Sequence, residues 1–158
     1  MDIVFARIDN RLMHGIVISQ YLPGTDAQRI MVIDDDVASN QTRKDMMMIA
    51  KPNGYAASII TLQKAKENII AEKYGNQKIF LLAKSPTTIL EVMQLGVKIH
   101  QLIVGTTDMI NEGIRITDRA FVTEKELDDL RKIRDLGCEI IVQHNPSQIP
   151  VSLWKIVK

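Results

Sequence analysis

The residues best suited to chemistry lie near the start of the chain, in the stretch Arg7-Ile8-Asp9-Asn10-Arg11-Leu12-Met13-His14-Gly15. An imidazole beside Arg7 and Arg11 is expected to stay neutral near pH 7 and to keep a free nitrogen lone pair. Guanidinium forks are the usual partners of phosphoryl oxygens. The combination predicts that His14 accepts a phosphoryl group covalently and passes it on. Asp9 could orient the imidazole or could pair with an arginine.

The elements around this stretch would place His14 at the start of a helix. Apolar residues from Ile3 to Ile8 predict a buried strand, residues 9–11 a polar turn, and residues 15–22 a short apolar helix. A helix N-terminus has free backbone N–H groups and a partial positive charge, so it suits a phosphate. The alternative is that His14 only caps this helix and that both arginines are solvated.

The whole chain has the size and composition of a soluble globular domain. Its 158 residues are enough for one core, and 46% of them are hydrophobic and 25% charged. The 20 basic residues nearly balance the 19 acidic ones, so bulk charge favours neither nucleic acid nor an anionic membrane. No signal peptide or membrane-spanning run is visible, and we expect a cytoplasmic protein. The single Cys138 excludes an internal disulfide and a cysteine-rich metal site.

Short apolar runs alternate with helical segments along the rest of the chain. Further strands are predicted at 29–34, 57–61, 78–83, 101–104 and 139–143, the last of them at a sheet edge, with a strand pair or strand-and-turn at 115–122. Helices are predicted at about 37–50 and 63–73, from Pro86 to Gly96, and from the Thr123 capping box to Gly137. This alternation predicts a single-domain α/β fold, an open, doubly wound, mostly parallel sheet of about six to seven strands with helices on both faces.

Ligands of such sheets bind at the carboxyl ends of the strands, which adds three segments to the candidate site. These segments are Asp34–Asp36, Lys84–Ser85 and Gly105–Asp108. The acidic triplet could hold Mg²⁺, but a turn followed by a helix cap accounts for it better, so we predict neither a metal nor a cofactor. The polar loop 105–113 could close over His14 or could be a plain surface connection.

Other conspicuous residues have structural explanations. His100 and His144 lack partners at metal-ligand spacing, and surface or half-buried roles are expected for both. The methionines at 46–48 lie on a predicted helix whose period places part of the run in the core, with a Met-rich partner surface as the alternative. The scattered aromatic residues form no platform for stacking bases, which also argues against nucleic acid as a partner.

The stretch from Arg7 to Gly15 resembles the signature of the IIB subunits of the mannose/fructose/sorbose family of the bacterial sugar phosphotransferase system. Similarities to the same family follow in order along the chain, at the turn after the second strand and at 80–86, 96–97, 122–123 and 150–153. The resemblance covers essentially residues 1–158, as one IIB domain. Within the family, residues 152–155 are similar to the N-acetylgalactosamine-type members.

The resemblance implies a phosphocarrier. A phosphorylated IIA domain would transfer its group to His14, which would deliver it to a sugar imported by the membrane subunits IIC and IID, with Arg7 and Arg11 stabilising the phosphoryl oxygens. This is the activity of a protein-N(pi)-phosphohistidine–sugar phosphotransferase. The resemblance further implies a cytoplasmic protein, peripherally associated with the permease complex, and suggests a homodimer.

Several neighbours of this centre are expected to share in its work. Asp9 is counted with the catalytic residues, and the residues expected to bind phosphate or a partner are Asn10, Gly15, Ser85, Thr106 and Thr107. Two positions depart from the family pattern. Ile16 stands where relatives commonly carry glutamine, and Thr106-Thr107 stands where relatives usually show Gly-Asn-Met or similar after this glycine.

Two other functions stay open from the residues themselves. One is a non-catalytic α/β regulatory or binding module, whose corner of Arg7, Arg11 and His14 only holds a phosphate-bearing ligand. The other is a phosphohydrolase that works through His14, which would need a general acid such as Asp9 or Asp108.

Overall fold

The computed structural model describes residues 1–158, which form nine strands and six α-helices. The strands are β1 (Asp2–Ile8), β2 (Arg29–Ile33), β3 (Ala56–Ile60), β4 (Lys78–Ala83), β5 (Gln101–Val104), β6 (Ile114–Thr117), β7 (Ala120–Val122), β8 (Glu139–Val142) and β9 (Val151–Ser152). The helices are α1 (Gly15–Tyr21), α2 (Asp35–Ala38), α3 (Gln41–Met48), α4 (Leu62–Ile70), α5 (Pro86–Gln94) and α6 (Glu124–Asp135). None of them is both long enough and apolar enough to span a bilayer.

Seven strands form one sheet in the order β3-β2-β4-β1-β5-β8-β9, and β6 and β7 form a separate antiparallel hairpin. Every neighbouring pair in the large sheet is parallel except β8 and β9. The predicted doubly wound α/β fold and the strand pair at 115–122 are therefore confirmed. The central strand β1 lies between β4 and β5, so the turn after β1 opens at the carboxyl edge of the sheet, where such folds bind ligands.

The sheet is covered on both faces, which explains why its inner strands are continuously apolar. On one face, side chains of α1 and α2 such as Val17 and Val37 pack with Phe80 of β4. On the opposite face, side chains of α4, α5 and α6 pack with Ile79 and Leu81 of the same strand. We call these the α1 face and the α5 face.

The helix ends read from the sequence are largely confirmed. Ser85 caps α5 with Pro86 at its first position, and Thr123 and Glu126 form the capping box of α6. Gly96 and Gly137 follow these helices with φ of 94° and 96°, a conformation that glycine adopts without steric cost.

Two predictions about elements are wrong. The helix expected at 37–50 is split, because the side chain of Asn40 accepts a hydrogen bond from the N–H of Arg43 at 3.1 Å and starts α3 anew. The last parallel strand is not at the edge, because β9 pairs antiparallel with β8 through Ser152 opposite Ile141. The two-residue β9 is too short for a strand pattern to reveal it.

The methionine run also departs from the prediction that part of it lies in the core. Helix α3 has no buried residue, and Met46 and Met48 are 67% and 37% exposed. Only Met47 packs partly against the α1 face. The restart of the helix at Asn40 places α3 at the margin of the sheet, where it covers little.

Candidate functional site

The turn after β1 brings His14 to the surface by fixing the residues before it in the core. Asp9 extends the pairing of β1 with β4, since its N–H donates to the carbonyl of Ala83 at 3.0 Å. Leu12 and Met13 are buried, and Leu12 adopts a left-handed φ of 55°. That conformation costs roughly 1–2 kcal/mol for an L-residue, which burial of the leucine side chain offsets. His14 then follows in solvent, at the first turn of α1.

His14 is exposed and is the N-cap residue of α1, as predicted. Its Nδ1 atom accepts a hydrogen bond from the N–H of Ile16 at 3.2 Å. In this arrangement the neutral ring has its lone pair on Nδ1 and its proton on Nε2. The same geometry therefore caps the helix and presents a nucleophilic nitrogen near the surface. The side chain of Ile16 is 49% exposed and makes the neighbouring surface apolar.

The Asp9 carboxylate is fully buried between the two arginines. Arg11 donates from Nε to Oδ1 at 2.9 Å and from Nη2 to Oδ2 at 2.8 Å, and Arg7 Nε donates to Oδ2 at 3.0 Å. Burial raises the pKa of Asp9, but the hydrogen bonds from Arg11 and the positive charges of both arginines outweigh it and hold the pKa below its usual value. Of the two roles considered for Asp9, the structure shows pairing with the arginines.

The guanidinium of Arg7 is enclosed by the protein and has no exposed surface. Its Nη1 donates to the carbonyl of Gln143 at 2.8 Å and to the Tyr21 hydroxyl at 3.1 Å, and its Nη2 donates to the carbonyl of His144 at 2.7 Å. Its Cζ also lies 4.7 Å from the centre of the Tyr21 ring. Arg7 was predicted to stabilise phosphoryl oxygens together with Arg11, but its side chain is fully buried and in this structure cannot contact a group that arrives from outside.

The close fit around Arg7 depends on Gly105, the first residue after β5. A Cβ atom built on Gly105 would overlap the guanidinium, with Arg7 Nε only 2.7 Å away. Hydrogen bonds hold this guanidinium in place, so it has no free path to move aside. The glycine is therefore needed for close approach of the strand end to the arginine.

Arg11 differs from Arg7 in being partly open to solvent. Its side chain is 25% exposed, and Nη1 makes no hydrogen bond within the protein. Hydrogen bonds to Asp9 raise the pKa of Arg11, so its charge is permanent. The structure thus brings Arg11 and His14 to the same surface turn, with Asp9 fixing one edge of the guanidinium and leaving the other free for an anion.

The two threonines after β5 are both engaged within the protein. Thr106 Oγ1 lies 3.0 Å from Nδ1 of His144. The Thr107 hydroxyl accepts from the N–H of Phe121 at 2.6 Å and donates to its carbonyl at 2.9 Å, so it ties the loop to the β6–β7 hairpin. The role of Thr107 in binding phosphate, expected from sequence, conflicts with this use of its hydroxyl. The base of the loop is fixed, whereas Met109 at its tip is 81% exposed.

Asn10 links the turn after β1 to the loop after β5. Its N–H donates to the carbonyl of Thr106 at 2.8 Å, and its Nδ2 donates to Oδ1 of Asp108 at 2.9 Å. The remaining oxygen, Oδ1, is buried and has no hydrogen-bond partner. Gly15, the other small residue of this turn, is exposed at the first position of α1 and has open space around it.

The acidic triplet and Ser85 lie at the same sheet edge, around a cavity of about 200 Å³. Ser85 Oγ accepts from the N–H of Thr87 and so serves as a helix cap. Asp34 caps α2, and Asp35 Oδ1 accepts from the N–H of Leu62 at 2.8 Å. No group of three or more metal-ligating side chains comes together anywhere in the chain. The expected helix cap is confirmed at Asp34, whereas Asp35 and Asp36 form the first turn of α2 instead of a separate turn.

Sequence reasoning missed the segment after β8. Gln143 and His144 clamp Arg7 through their carbonyls, and Tyr21 donates to Oε1 of Gln143 at 3.0 Å. His144 is half-buried. Its pKa is lowered mainly by burial and, to a smaller extent, by the positive charges of Arg119 and other arginines. Ligand sites are expected at the carboxyl ends of parallel strands. Applying this rule to β8, the neighbour of β5 in the sheet, would have identified this segment.

Comparison with known proteins places this geometry in a family. The family model described as "PTS system sorbose subfamily IIB component" matches residues 3–158. The chain therefore belongs to this family of IIB components of the bacterial sugar phosphotransferase system, which confirms the resemblance read from Arg7 to Gly15. The chain therefore functions as a IIB component, which takes part in phosphoryl transfer to sugar.

Particular relatives cover nearly the whole chain. The fructose-specific EIIB component of Bacillus subtilis (strain 168) is 28% identical over 158 residues, which are 100% of this chain and 97% of that protein. The N-acetylgalactosamine-specific enzyme IIB component 2 of Escherichia coli (strain K12) is 30% identical over 156 residues, 99% of each. The solved IIBSor domain of the sorbose permease from Klebsiella pneumoniae superposes with a TM-score of 0.91 at 26% identity, covering 99% of this chain and 96% of that one.

Proposed function

We propose that Nδ1 of His14 accepts the phosphoryl group from a phosphorylated IIA domain and passes it to a sugar carried by the membrane subunits IIC and IID. The observation that carries the proposal is the exposed imidazole whose Nδ1 lone pair is bound only by the N–H of Ile16. This corresponds to a protein-N(pi)-phosphohistidine–sugar phosphotransferase. The protein would act in the cytoplasm, peripherally associated with its permease.

The first transfer forms the Nδ1–phosphorus bond of His14 while the bond from phosphorus to the donor residue of the IIA domain breaks. The proton on Nε2 stays in place, and the N–H of Ile16, released from Nδ1, is free to donate to a phosphoryl oxygen. In the second transfer a sugar hydroxyl oxygen attacks phosphorus, the Nδ1–phosphorus bond breaks and returns its electron pair to Nδ1, and the hydroxyl proton passes to solvent water. Since two different proteins must reach the same nitrogen, an exposed histidine on a protruding turn suits the task.

The arginines have different roles in this proposal. Arg11 would bind the phosphoryl oxygens with the edge that Asp9 leaves free, which offsets charge in both transfers. Arg7 acts through Asp9 and is a positioning residue, because it is buried and holds the carboxylate that holds Arg11. Asp9 is likewise a positioning residue.

The surrounding residues would shape the surface that the partners approach. Asn10 and Thr106 hold the turn after β1 against the loop after β5, and Gly15 leaves open space at the start of α1. Ser85 lies on the adjoining strand end, within reach of a docked partner. The relatives do not indicate a single sugar, since the IIB components similar to this chain are specific for fructose, N-acetylgalactosamine or sorbose. The homodimer suggested by resemblance stays a prediction.

A phosphohydrolase is less well supported by the contacts. Asp9 is saturated by the arginines, and Asp108 accepts from Asn10. Neither carboxylate makes a hydrogen bond to His14.

The proposal is tested by phosphoryl transfer from phosphoenolpyruvate through the general phosphotransferase proteins and the cognate IIA. We expect acid-labile phosphate on the wild type and on His100→Ala and His144→Ala, and none on His14→Ala. Nuclear magnetic resonance of the phosphorylated chain should show phosphorus on Nδ1. Label that persists in His14→Ala would contradict the assignment, and rapid release of phosphate without sugar permease would favour the hydrolase.

A further inference from the structure

The strand at the outer margin of the sheet, β3, has unpaired backbone groups. The N–H of Ala56 donates to the carbonyl of Gln28, and the carbonyl of Ile60 accepts from the N–H of Asp34. Because residues of a parallel strand alternate in the direction of their hydrogen bonds, the N–H and C=O groups of Ala57 and Ile59 point away from β2. Only the Ala57 carbonyl has a contact, with Arg29 Nη1 at 3.5 Å.

A groove of about 400 Å³ runs along this margin, between α3 on the α1 face and α4 on the α5 face. The sequence of β3, Ala-Ala-Ser-Ile-Ile, has no charge and no proline that would discourage pairing with another strand. A strand added here would gain backbone hydrogen bonds along the groove, as in recognition by β-augmentation.

The charges of the groove indicate which occupant fits. Its lining contains four cations, Arg29, Lys44, Lys64 and Lys73, against one carboxylate, Asp45. Lys44 and Lys73 form no ion pair, and Lys64 has only an exposed partner, Glu67, at 3.8 Å. The cations of two copies would oppose one another if β3 paired with itself, so a second copy of this chain is disfavoured.

We infer that this groove binds an acidic, extended segment of a protein partner, which adds to the sheet as a strand beside β3. The carboxylates of the segment would meet Lys44 on one face and Lys64 and Lys73 on the other, because successive side chains of a strand point to opposite faces. Strand β3 is separated from β1 by β2 and β4, roughly 14 Å at the usual strand spacing. The segment would therefore leave His14 free, and the inference does not depend on the chemistry of that residue.

The test uses the full chain labelled with ¹⁵N and a nine-residue amidated peptide with the repeat Glu-Glu-Val-Val, which places carboxylates on both faces. We expect this peptide to shift the amide signals of Ala57 and Ile59 and to slow their hydrogen exchange, with an affinity that falls as salt is added. The same peptide with lysine for glutamate, or with proline for every second valine, should bind at least tenfold more weakly.

Variants of the chain separate charge from backbone pairing. Ala57→Pro removes one outward N–H, and the double change Lys44→Glu with Lys64→Glu reverses charge without touching β3; each should raise the Kd of the acidic peptide at least tenfold. Lys98→Glu with Lys155→Glu is the matched control, since both lysines are exposed, outside the groove and in no ion pair, and it should leave the Kd unchanged.

The inference is overturned if the acidic peptide leaves the β3 amides unchanged at millimolar concentration. Equal binding of the lysine peptide, or insensitivity to the double charge reversal, would also overturn it. Sedimentation that shows a dimer abolished by Ala57→Pro would assign the edge to a second copy of the chain instead.

Discussion

Two arginines bind the buried carboxylate of Asp9, Arg7 from the interior of the protein and Arg11 from its surface. On the inner side, Arg7 is fully buried and donates to backbone carbonyls that follow β8. On the outer side, Arg11 is 25% exposed and keeps one nitrogen free. An arginine that is surrounded by protein acceptors stabilises the structure, whereas one whose acceptors occupy only one edge can bind a ligand. The comparison predicts that the two arginines fail in different ways when replaced.

The largest effect is expected on the inner side. Arg7→Ala removes one buried partner of the Asp9 carboxylate, which Arg11 still binds, and leaves two strand-end carbonyls without a donor, which should lower the free energy of unfolding by about 3–5 kcal/mol. Urea denaturation measures this, with Tyr21→Phe as a milder change that removes one acceptor of Arg7. An unchanged unfolding midpoint for Arg7→Ala would contradict the structural role of the inner arginine.

On the outer side, the effect should fall on transfer rather than on stability. Arg11→Ala is expected to slow phosphorylation of His14 by roughly 10²-fold, as for loss of one donor to developing charge, and to lower stability less than Arg7→Ala does. Rapid-quench measurement with phosphorylated IIA gives the rate. Arg11→Lys retains the charge but not the fork, so it should recover only part of the rate. Equal rates for all three chains would remove Arg11 from the mechanism.

The inner side can also be disturbed without changing a charge. Gly105→Ala introduces a methyl group into the space of the Arg7 guanidinium, which should cost about 1–3 kcal/mol of stability as an overpacked site does. Gly24→Ala is the control, because a Cβ there meets nothing within 4 Å. Similar unfolding midpoints for the two variants would show that Arg7 is free to move.

The smallest loss of stability is expected when the pH is lowered and Asp9 becomes protonated. The pKa of Asp9 is lowered in the folded chain from its ordinary 3.8, so the unfolded state takes up this proton first as the pH falls. The contribution of Asp9 to stability is therefore complete above pH of about 4 and is lost below it, as the pH passes through the folded pKa. Urea denaturation between pH 3 and pH 7 should show this loss in the wild type and not in Asp9→Asn. A parallel loss in both chains would assign the acid sensitivity to other carboxyl groups.

Much of the fold was predictable because its signals are local. Short, nearly continuous apolar runs identified the strands of the large sheet except β9, and the caps at Ser85 and Thr123 fixed the starts of two helices, since a cap involves residues only two or three apart. The failures occurred where local signals compete or are absent. Asn40 lies inside an otherwise helical pattern and restarts the helix, and β9 has only two residues.

The sequence by itself determined that His14 follows a buried strand, begins a helix and belongs to a phosphotransferase signature. It could not determine which neighbouring arginine faces solvent, because Arg7 and Arg11 stand on either side of Asp9 with similar local surroundings. That was decided by Gln143 and His144, which lie 136 and 137 residues away along the chain. The physical reason is that the burial of a charge depends on acceptors supplied across the sheet, and only the packing of β8 next to β5 brings them to Arg7.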